Sequence, residues 1–191
     1  PNTNHHILAG NDTTKKFYGI IPVEFSAAML YFHQKGIVQN LIHNLKYKKH
    51  QEIGTLLGEW YAKDLESVAN IKTVSEIIPV PLHKKRLEER GYNQITTFCE
   101  ALSNELKIPY NPNLLYRSRY SKTQTKKDKE NRKDITNALF DVHFTEADSN
   151  KHFLLVDDVM TSGATLEACA KALLKIPNSK VSIVTIAYTQ S

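Results

Sequence analysis

The chain has 191 residues, enough for one domain with a substantial hydrophobic core. Hydrophobic residues make up 41% and charged residues 24% of it, as in ordinary globular proteins, and no apolar run approaches the roughly 20 residues of a membrane helix. The net charge of +5 suits an anionic partner, either a phosphate-rich small molecule or a nucleic acid. No signal peptide is visible either, so we expect a cytoplasmic protein without membrane association, with Cys99 and Cys169 as buried free thiols.

The first half of the chain is predicted to be an irregular segment followed by helices, all within one domain that spans residues 1–191. Residues 1–20 are polar and without periodicity, and although His5 and His6 could bind a metal, the pattern favours an exposed tail. Residues 26–48 have roughly helical apolar spacing with a break at Gly36, and residues 53–68 repeat that spacing.

In the second half, short apolar runs alternate with helical patterns. Strands are predicted at residues 74–80, 138–144, 153–159 and 181–187, and helices at residues 91–107 and 166–176. The hydrophilic residues 116–134 are predicted to be a mobile loop. This alternation indicates an α/β fold with a parallel sheet flanked by helices.

A pair of acidic residues followed by a loop of small residues is the most informative pattern in the chain. Asp157 and Asp158 end an apolar strand, and residues 159–165 lead into a helix. Open α/β sheets bind ligands beyond the carboxyl ends of their strands, and a helix N-terminus with Gly163 lets a phosphate approach the backbone. A ribose 5-phosphate satisfies both halves, because its hydroxyls donate to the carboxylates while its phosphate fills the loop. The residues predicted to bind that phosphate are Thr161, Ser162, Gly163, Ala164 and Thr165.

Other interpretations of this run are less consistent with the sequence. Taken alone, the loop could be a helix cap and the aspartates solvated charges. A phosphoacceptor receiver domain also has an acidic pair after a strand, but it needs a further Asp on a later strand, and none follows Asp158. A Walker A site needs Gly-Lys-Ser/Thr, which is absent.

Residues 156–165 (VDDVMTSGAT) resemble the phosphoribosyl-diphosphate signature of type I phosphoribosyltransferases. More narrowly, residues 17–190 resemble the ComF/GntX family of competence-associated, phosphoribosyltransferase-like proteins. The further matching positions are residues 41–47 (LIHNLKY), residues 79–82 (PVPL), Arg86, residues 90–94 (RGYNQ), Arg117, Arg119, Gln124, Arg132, Asn137 and Phe140. Many members of that family open with a four-cysteine zinc module, which this sequence lacks.

The resemblance implies a type I phosphoribosyltransferase fold with a small hood built from N-terminal and late segments. It implies that Asp157 and Asp158 are the catalytic pair, which holds the ribose hydroxyls and stabilises positive charge on the ring. The implied ligand is phosphoribosyl diphosphate and the implied cofactor is Mg²⁺, held mainly by ligand oxygens and water rather than by protein side chains.

Two basic segments complete the predicted site. Residues 81–86 directly follow a strand, so they are expected at the same sheet edge as the acidic pair, where the resemblance implies a diphosphate-binding loop and a solvated charged turn is the alternative. The residues concerned are Lys84, Lys85 and Arg86. Residues 117–133 contain eight Lys or Arg, and the resemblance implies a flexible loop that closes over the diphosphate, with plain surface as the alternative. The flexible-loop residues are Arg117, Arg119, Gln124 and Arg132. His43, Lys46 and Tyr47 fit an acceptor pocket and an ordinary helix face equally well, so no role is assigned to them.

Phosphoribosyl transfer to or from an unidentified nitrogenous acceptor is the activity that this pattern favours. The alternatives are a non-catalytic module that senses the ligand, and a competence accessory that works with DNA-uptake or recombination proteins. We expect at most weak, non-specific binding of single-stranded DNA, because Tyr116 and Tyr120 are the only aromatic residues near the long basic segment.

Overall fold

The computed structural model describes residues 2–48, 50–118 and 139–190. The strands are β1 (Ser26–Phe32), β2 (Glu76–Pro79), β3 (Leu115–Arg117), β4 (Phe140–Val142), β5 (His152–Met160) and β6 (Lys180–Thr189). The helices are α1 (Asp12–Lys15), α2 (Ile37–Tyr47), α3 (Glu52–Leu65), α4 (Lys84–Arg90), α5 (Thr96–Leu106) and α6 (Ala164–Leu173), with 3₁₀ turns at Ala69–Thr73 and Glu146–Asp148.

The main sheet is parallel throughout, with strand order β1-β6-β5-β2. β3 and β4 form a separate antiparallel pair. In the central strand β5, Phe153 and Leu155 belong to the core that includes α6, whereas Leu154 and Val156 belong to the core that includes α2, α3 and α5. Both faces of the sheet are therefore covered, which explains why its strands are continuous apolar runs. The predicted fold class, a parallel sheet flanked by helices, is confirmed.

Close packing of α3 against α5 fixes one side of the sheet edge. Gly58 of α3 lies so near α5 that an added Cβ would be 2.7 Å from the Phe98 carbonyl oxygen and 2.6 Å from the Ala101 Cβ. Such distances are shorter than a van der Waals contact, so only glycine fits at this crossing. The contact positions the start of α5, and with it the loop of residues 91–95 that contributes to the site described below.

Because all four strands run in the same direction, their carboxyl ends meet at one edge of the sheet. The acidic pair lies in β5 near this edge, two residues before the strand ends at Met160, and β2 leads through Pro81 into α4. Helix α2, together with Phe32 at the end of β1 and Thr189 at the end of β6, lines a cavity beside this edge. Helix α2 and the ends of β1 and β6, which come from early and late parts of the chain, are the small hood.

One predicted helix is partly a strand. Of residues 26–48, only the second half is helical, as α2, while Ser26–Phe32 is β1, the edge strand that pairs with β6. The prediction failed because residues 26–30 are all buried, so this strand lacks the alternation of polar and apolar residues that would distinguish it from a helix. The other predicted strands and helices are present, with shifted ends.

The N-terminal segment is irregular over most of its length, but it is not the exposed tail that was predicted. Phe17 and His5 are buried, and His5 packs between the rings of Tyr31 and Tyr188. The Asn11 amide donates to the Ser26 carbonyl at 2.8 Å, and its oxygen caps α1. A polar side chain thus anchors the segment, which hydrophobic patterning cannot reveal.

Two further predictions on basic and polar segments are corrected, and one on cysteine is confirmed. Lys84–Arg90 is a helix, α4, rather than a loop or charged turn. Residues 116 and 117 lie in β3, while residues 119–138 are outside the described part of the chain. Cys99 and Cys169 are buried free thiols.

Within the described residues, no helix is long and apolar enough to span a membrane.

Candidate functional site

A cavity of about 640 Å³ opens at the carboxyl edge of the sheet. It lies between the end of β5, the segment that follows β2, helix α4 and the C-terminal end of α2. Among the described residues, the charged side chains that line it are Lys46, Lys85, Arg86, Arg90, Arg117, Glu89, Asp157 and Asp158. Cations outnumber carboxylates, so the cavity is suited to an anionic ligand that also has groups able to donate to carboxylates.

The two carboxylates of the acidic pair have different surroundings, although both line the cavity. Asp158 is 5% exposed, and its Oδ2 is 2.9 Å from the Lys46 ammonium nitrogen and accepts a 2.7 Å hydrogen bond from the Gln94 amide. Asp157 is partly exposed, and its Oδ1 accepts the Asp158 backbone N–H at 2.8 Å. Asp158 is thus held by two side chains, whereas Asp157 is the carboxylate with the more accessible surface.

The environment of Asp157 disfavours its ionised form. Burial at the strand end and the neighbouring Asp158 carboxylate raise the pKa of Asp157 to about 8, although the Asp158 N–H and the Lys46 charge oppose this rise. Two adjacent carboxylates in one cleft repel each other unless a proton or a cation lies near them. The acidic pair is therefore poised to gain from hydroxyl donors or from positive charge on a ligand.

The predicted phosphate loop leads from the acidic pair into α6. Gly163 is the N-cap residue of this helix, with φ of 84°, a left-handed conformation in which glycine is favoured. It has no side chain to cap the first-turn N–H groups, and these groups have no partners within a helix. Thr161, Ser162, Ala164 and Thr165 are exposed. The loop therefore leaves the N-terminus of α6 accessible, and Thr165 lines the same cavity as the acidic pair.

Helix α4 supplies the cationic wall, but its predicted residues do not all face the cavity. Lys85 and Arg86 line it, together with Arg90 one turn further along the helix. Lys84 lines a neighbouring cavity of about 820 Å³ and lies 3.6 Å from Glu88 on the solvent side. The predicted trio of Lys84, Lys85 and Arg86 is thus divided between the two cavities.

A polar network ties α2, α4 and α5 to the acidic pair. Arg90 donates to the Gln94 oxygen at 2.7 Å and to the Tyr47 hydroxyl at 3.2 Å, and its guanidinium lies over the Tyr47 ring. Gln94 in turn donates to Asp158. Through these contacts the end of α2 is joined to both the cationic wall and the acidic pair.

A second cavity, of about 390 Å³, lies on the hood side of the acidic pair. Asp158 and Lys46 line both cavities, so their ion pair stands at the junction. The hood-side cavity is otherwise lined by aromatic, apolar and polar side chains and by the loop residue Thr161. These lining residues are Phe32, Gln39, Ile42, His43, Tyr47, Val159 and Thr189.

Several site residues were not assigned a role from the sequence. Lys46, Arg90 and Gln94 lie in segments that carry the family resemblance, and Lys46 was weighed without decision between an acceptor pocket and a helix face. No local signal could have given their contacts, because Lys46 and Asp158 are brought together only by the fold. Of the predicted flexible-loop residues, Arg117 lines the cavity with its guanidinium 5.2 Å from the Phe140 ring, and Arg119, Gln124 and Arg132 lie outside the described residues. In the described part of the chain, no three His, Cys, Asp or Glu side chains are grouped to hold a metal ion.

Comparison with known proteins identifies the family. The model of the phosphoribosyl transferase domain matches residues 96–191, half of the chain, and this range contains the acidic pair and the phosphate loop. Among solved structures, the adenine phosphoribosyltransferase of Leishmania tarentolae is similar with a TM-score of 0.45 and 11% identity, over 83% of this chain and 90% of that one.

Curated relatives carry competence and DNA-utilization names. Competence protein F of Haemophilus influenzae is 34% identical over 63% of this chain and 53% of its own length. DNA utilization protein YhgH of Shigella flexneri is 29% identical over 71% of this chain and 60% of its own length. Competence protein ComFC of Bacillus subtilis is 36% identical over 52% of this chain and 38% of its own length. The chain thus spans about two fifths to three fifths of the length of these relatives. The resemblance to competence-associated proteins is confirmed, and the chain belongs to the phosphoribosyl transferase domain family.

Proposed function

We propose that the protein binds phosphoribosyl diphosphate with Mg²⁺ and transfers its phosphoribosyl group to or from a nitrogenous acceptor. One observation carries the proposal: a single cavity is lined by the acidic pair, by Thr165 of the phosphate loop, and by Lys85 and Arg86. A ribose with a phosphate at one end and a diphosphate at the other needs these three kinds of group in one place. The family match supports the same ligand class.

The proposed roles follow from the charge that develops during transfer. The bond from C1 of the ribose to the diphosphate breaks, the diphosphate leaves with the electron pair, and the ring becomes positive. The acceptor nitrogen then forms the new bond from the opposite face with its lone pair and releases a proton to water or a base. Asp157 and Asp158 bind the ribose hydroxyls and stabilise the positive ring, while Lys85 and Arg86 bind the departing diphosphate.

Magnesium fits this site as a companion of the diphosphate. Glu89 lines the cavity beside the cations of α4, so the wall suits a diphosphate whose negative charge is already partly neutralised. Diphosphate oxygens and water would hold the ion, and no described side chain is assigned as its ligand. When bound, it stabilises the negative charge of the leaving group.

Release of inorganic diphosphate tests the proposal. Phosphoribosyl diphosphate and Mg²⁺ are incubated with the protein and a panel of purine and pyrimidine bases, amines and ammonia, and diphosphate is measured by a coupled assay. We expect release with at least one acceptor and none with an Arg86→Gln, Lys85→Gln double variant. Ligand binding without release for any acceptor would favour a non-catalytic module that senses the same ligand.

A second candidate function is handling of DNA during competence. The names of the relatives favour it, since they are competence and DNA-utilization proteins. In this case the basic cavity wall would contact DNA phosphates or an acidic face of a DNA-uptake or recombination protein. Competition between single-stranded DNA and phosphoribosyl diphosphate with Mg²⁺ separates the two candidates.

A further inference from the structure

Lys46, the cationic member of the ion pair at the junction of the two cavities, has no part in the roles assigned so far. Lys46 is in the last turn of α2, and its ammonium nitrogen is 2.9 Å from Asp158 Oδ2. Its side chain is 23% exposed and that of Asp158 is 7% exposed. Both residues line the cavity with the cationic wall and the cavity on the hood side.

A purely structural role explains this pair poorly. Removing two charges from water costs about as much as their attraction returns, so a largely buried ion pair is weak evidence for stability. Helix α2 also has other attachments, since Tyr92 donates to the Leu45 carbonyl at 2.7 Å and Tyr47 is contacted by Arg90. The position of Lys46 matters instead for the acidic pair, where it is the cation in direct contact with Asp158 and where its charge favours ionisation of Asp157.

We propose that Lys46 is a positioning residue of the ribose site, which holds the Asp158 carboxylate in place and supplies the counter-charge that sets the pH range in which the acidic pair binds ribose hydroxyls. The inference rests on the proposed function, because it requires that the pair binds a ribose. The ion pair of Lys46 is with Asp158 of the acidic pair, so we expect its effect on the ribose part of the ligand.

Other charged groups also face the acidic pair and belong to the same electrostatic environment. Helix α2 also presents His43 on the hood side, and β3 presents Arg117. Helix α4 and its N-cap residue present His83, Lys85, Arg86, Glu89 and Arg90. The thiols of Cys99 and Cys169 lie behind Asp157, and burial raises the pKa of both, so they stay neutral. All these groups are the same in wild type and in variants of Lys46, so a change in pH dependence reports on Lys46 itself.

The test compares two probes by calorimetry across the pH range around 8. Ribose 5-phosphate carries hydroxyls for the acidic pair as well as a phosphate, whereas inorganic phosphate carries no such hydroxyls. In the wild type, the affinity for ribose 5-phosphate relative to phosphate should rise with pH as Asp157, with a pKa of about 8, ionises. In Lys46→Met, the pH midpoint of this rise in relative affinity should be higher by about one unit. Below that midpoint, the affinity for ribose 5-phosphate relative to phosphate should be about tenfold lower than in the wild type.

Three further variants make the result specific. Lys46→Arg keeps the charge and should restore the wild-type midpoint, while Lys46→Gln keeps a hydrogen-bond donor without charge and should shift the midpoint as Lys46→Met does. Lys48→Met removes one positive charge from the exposed end of the same helix and should leave the midpoint unchanged. Lys46→Gln also provides the comparison if Lys46→Met fails to give a cooperative thermal melt.

The outcomes distinguish the inference from the proposed function. A wild-type protein that shows no preference for ribose 5-phosphate over phosphate at any pH would overturn the ribose site, and the role of Lys46 with it. A clear preference in the wild type with an unshifted midpoint in Lys46→Met and Lys46→Gln would overturn the role of Lys46 alone. An equal shift in Lys48→Met would do the same, because it would reduce the effect to net charge.

Discussion

At the scale of single residues, the acidic pair shows how the fold gives two adjacent identical side chains different properties. Asp158 points to Lys46 and Gln94 and is almost completely buried, whereas Asp157 has no ion pair among the described residues and its pKa is raised. Groups with strongly shifted pKa values in a cleft are typical of functional sites. The pair therefore stores an unfavourable interaction that a ligand relieves.

Replacement of Asp157 by Asn should stabilise the free protein at alkaline pH. The folded-state pKa of this carboxyl is raised to about 8, so the folded protein holds the proton more tightly than the unfolded chain, and the stability due to this group is lost as pH rises from the ordinary aspartate range through about 8. Asp157→Asn removes that loss. Because Asp157 is partly exposed and solvent screens its charge, the gain should be well below the full value of about 1.4 kcal/mol per pKa unit, and we expect an unfolding free energy higher than that of wild type by about 1–2 kcal/mol above pH 8. Denaturant melts at pH 5 and pH 9 check this.

The same variant should bind ribose 5-phosphate at least about tenfold more weakly, since a hydrogen bond to a charged group contributes about 1.5–3 kcal/mol. Greater stability with weaker binding is the signature of a functional residue. A pH-independent difference in stability between the variant and the wild type would contradict the raised pKa.

Replacement of Gly163 by Val should abolish phosphate binding. The φ of 84° is unfavourable for a β-branched residue by about 1–3 kcal/mol, and relaxation of the loop would move the N–H groups of the α6 start. Gly10→Val is the matched control, because Gly10 has a φ of +66° with open space around it and lies far from the cavity in the chain. Phosphate binding by calorimetry should be lost in the first variant and kept in the second; loss in both would indicate general destabilisation.

Local sequence was sufficient for residues whose role depends on their immediate neighbours. The acidic pair and Gly163 lie together on one strand–loop–helix unit, so their spacing predicts their arrangement. Gln94 and Lys46 reach Asp158 from other elements, and only the folded chain brings them there. Single-sequence patterns carry no information on such distant pairs.

At the scale of elements, α4 shows how helix geometry divides a basic run. Lys84, Lys85 and Arg86 are consecutive, but successive residues of a helix point in directions about 100° apart, since a turn holds about 3.6 residues. Lys85, Arg86 and Arg90 therefore face the cavity that contains the acidic pair, whereas Lys84 faces the neighbouring cavity. A loop, as predicted from the sequence, would not impose this division.

Neutral substitutions along α4 should separate these faces. Arg86→Gln and Lys85→Gln should each weaken binding of inorganic diphosphate with Mg²⁺ by about five- to thirtyfold, because each removes a charge-assisted hydrogen bond of about 1–2 kcal/mol. Lys84→Gln removes the same charge from the other face and should change the affinity by less than about twofold in moderate salt. Calorimetry of the three variants gives the comparison, and equal losses in all of them would contradict the division.

Elements with strong helical periodicity, or with apolar runs bounded by turns, were predicted well. The exceptions have physical reasons. β1 was taken for a helix because it is buried over most of its length, and the N-terminal segment was taken for a tail because Asn11 and Thr3 anchor it through side-chain hydrogen bonds to β1. Neither feature alters the hydrophobic pattern from which elements are predicted.

At the scale of the whole molecule, the positive charge is concentrated where the site is. The net charge of +5 is modest, but within the described residues five cations, Lys46, Lys85, Arg86, Arg90 and Arg117, line one cavity. Such focusing favours a compact, highly charged anion over an extended polyanion, for which a basic stripe with exposed aromatic residues is the usual design.

Single-stranded DNA should therefore bind weakly and be displaced by the small ligand. Fluorescence anisotropy with a labelled oligonucleotide should show a loss of affinity of about tenfold or more for a fourfold rise in salt, because non-specific phosphate contacts dominate. Phosphoribosyl diphosphate with Mg²⁺ should compete, since both ligands would use the wall formed by Lys85 and Arg86. A salt-resistant complex that the small ligand leaves intact would make DNA handling the primary function.

Direct titration of phosphoribosyl diphosphate with Mg²⁺ tests the central claim, that this cavity is a phosphoribosyl-diphosphate site. Calorimetry should give one site per chain for the wild type and an affinity lower by about a hundredfold or more for the Asp157→Asn, Asp158→Asn double variant, with each lost carboxylate contributing about tenfold or more. The double variant must still unfold cooperatively for the comparison to hold. Equal affinities, or no binding by the wild type, would contradict the claim.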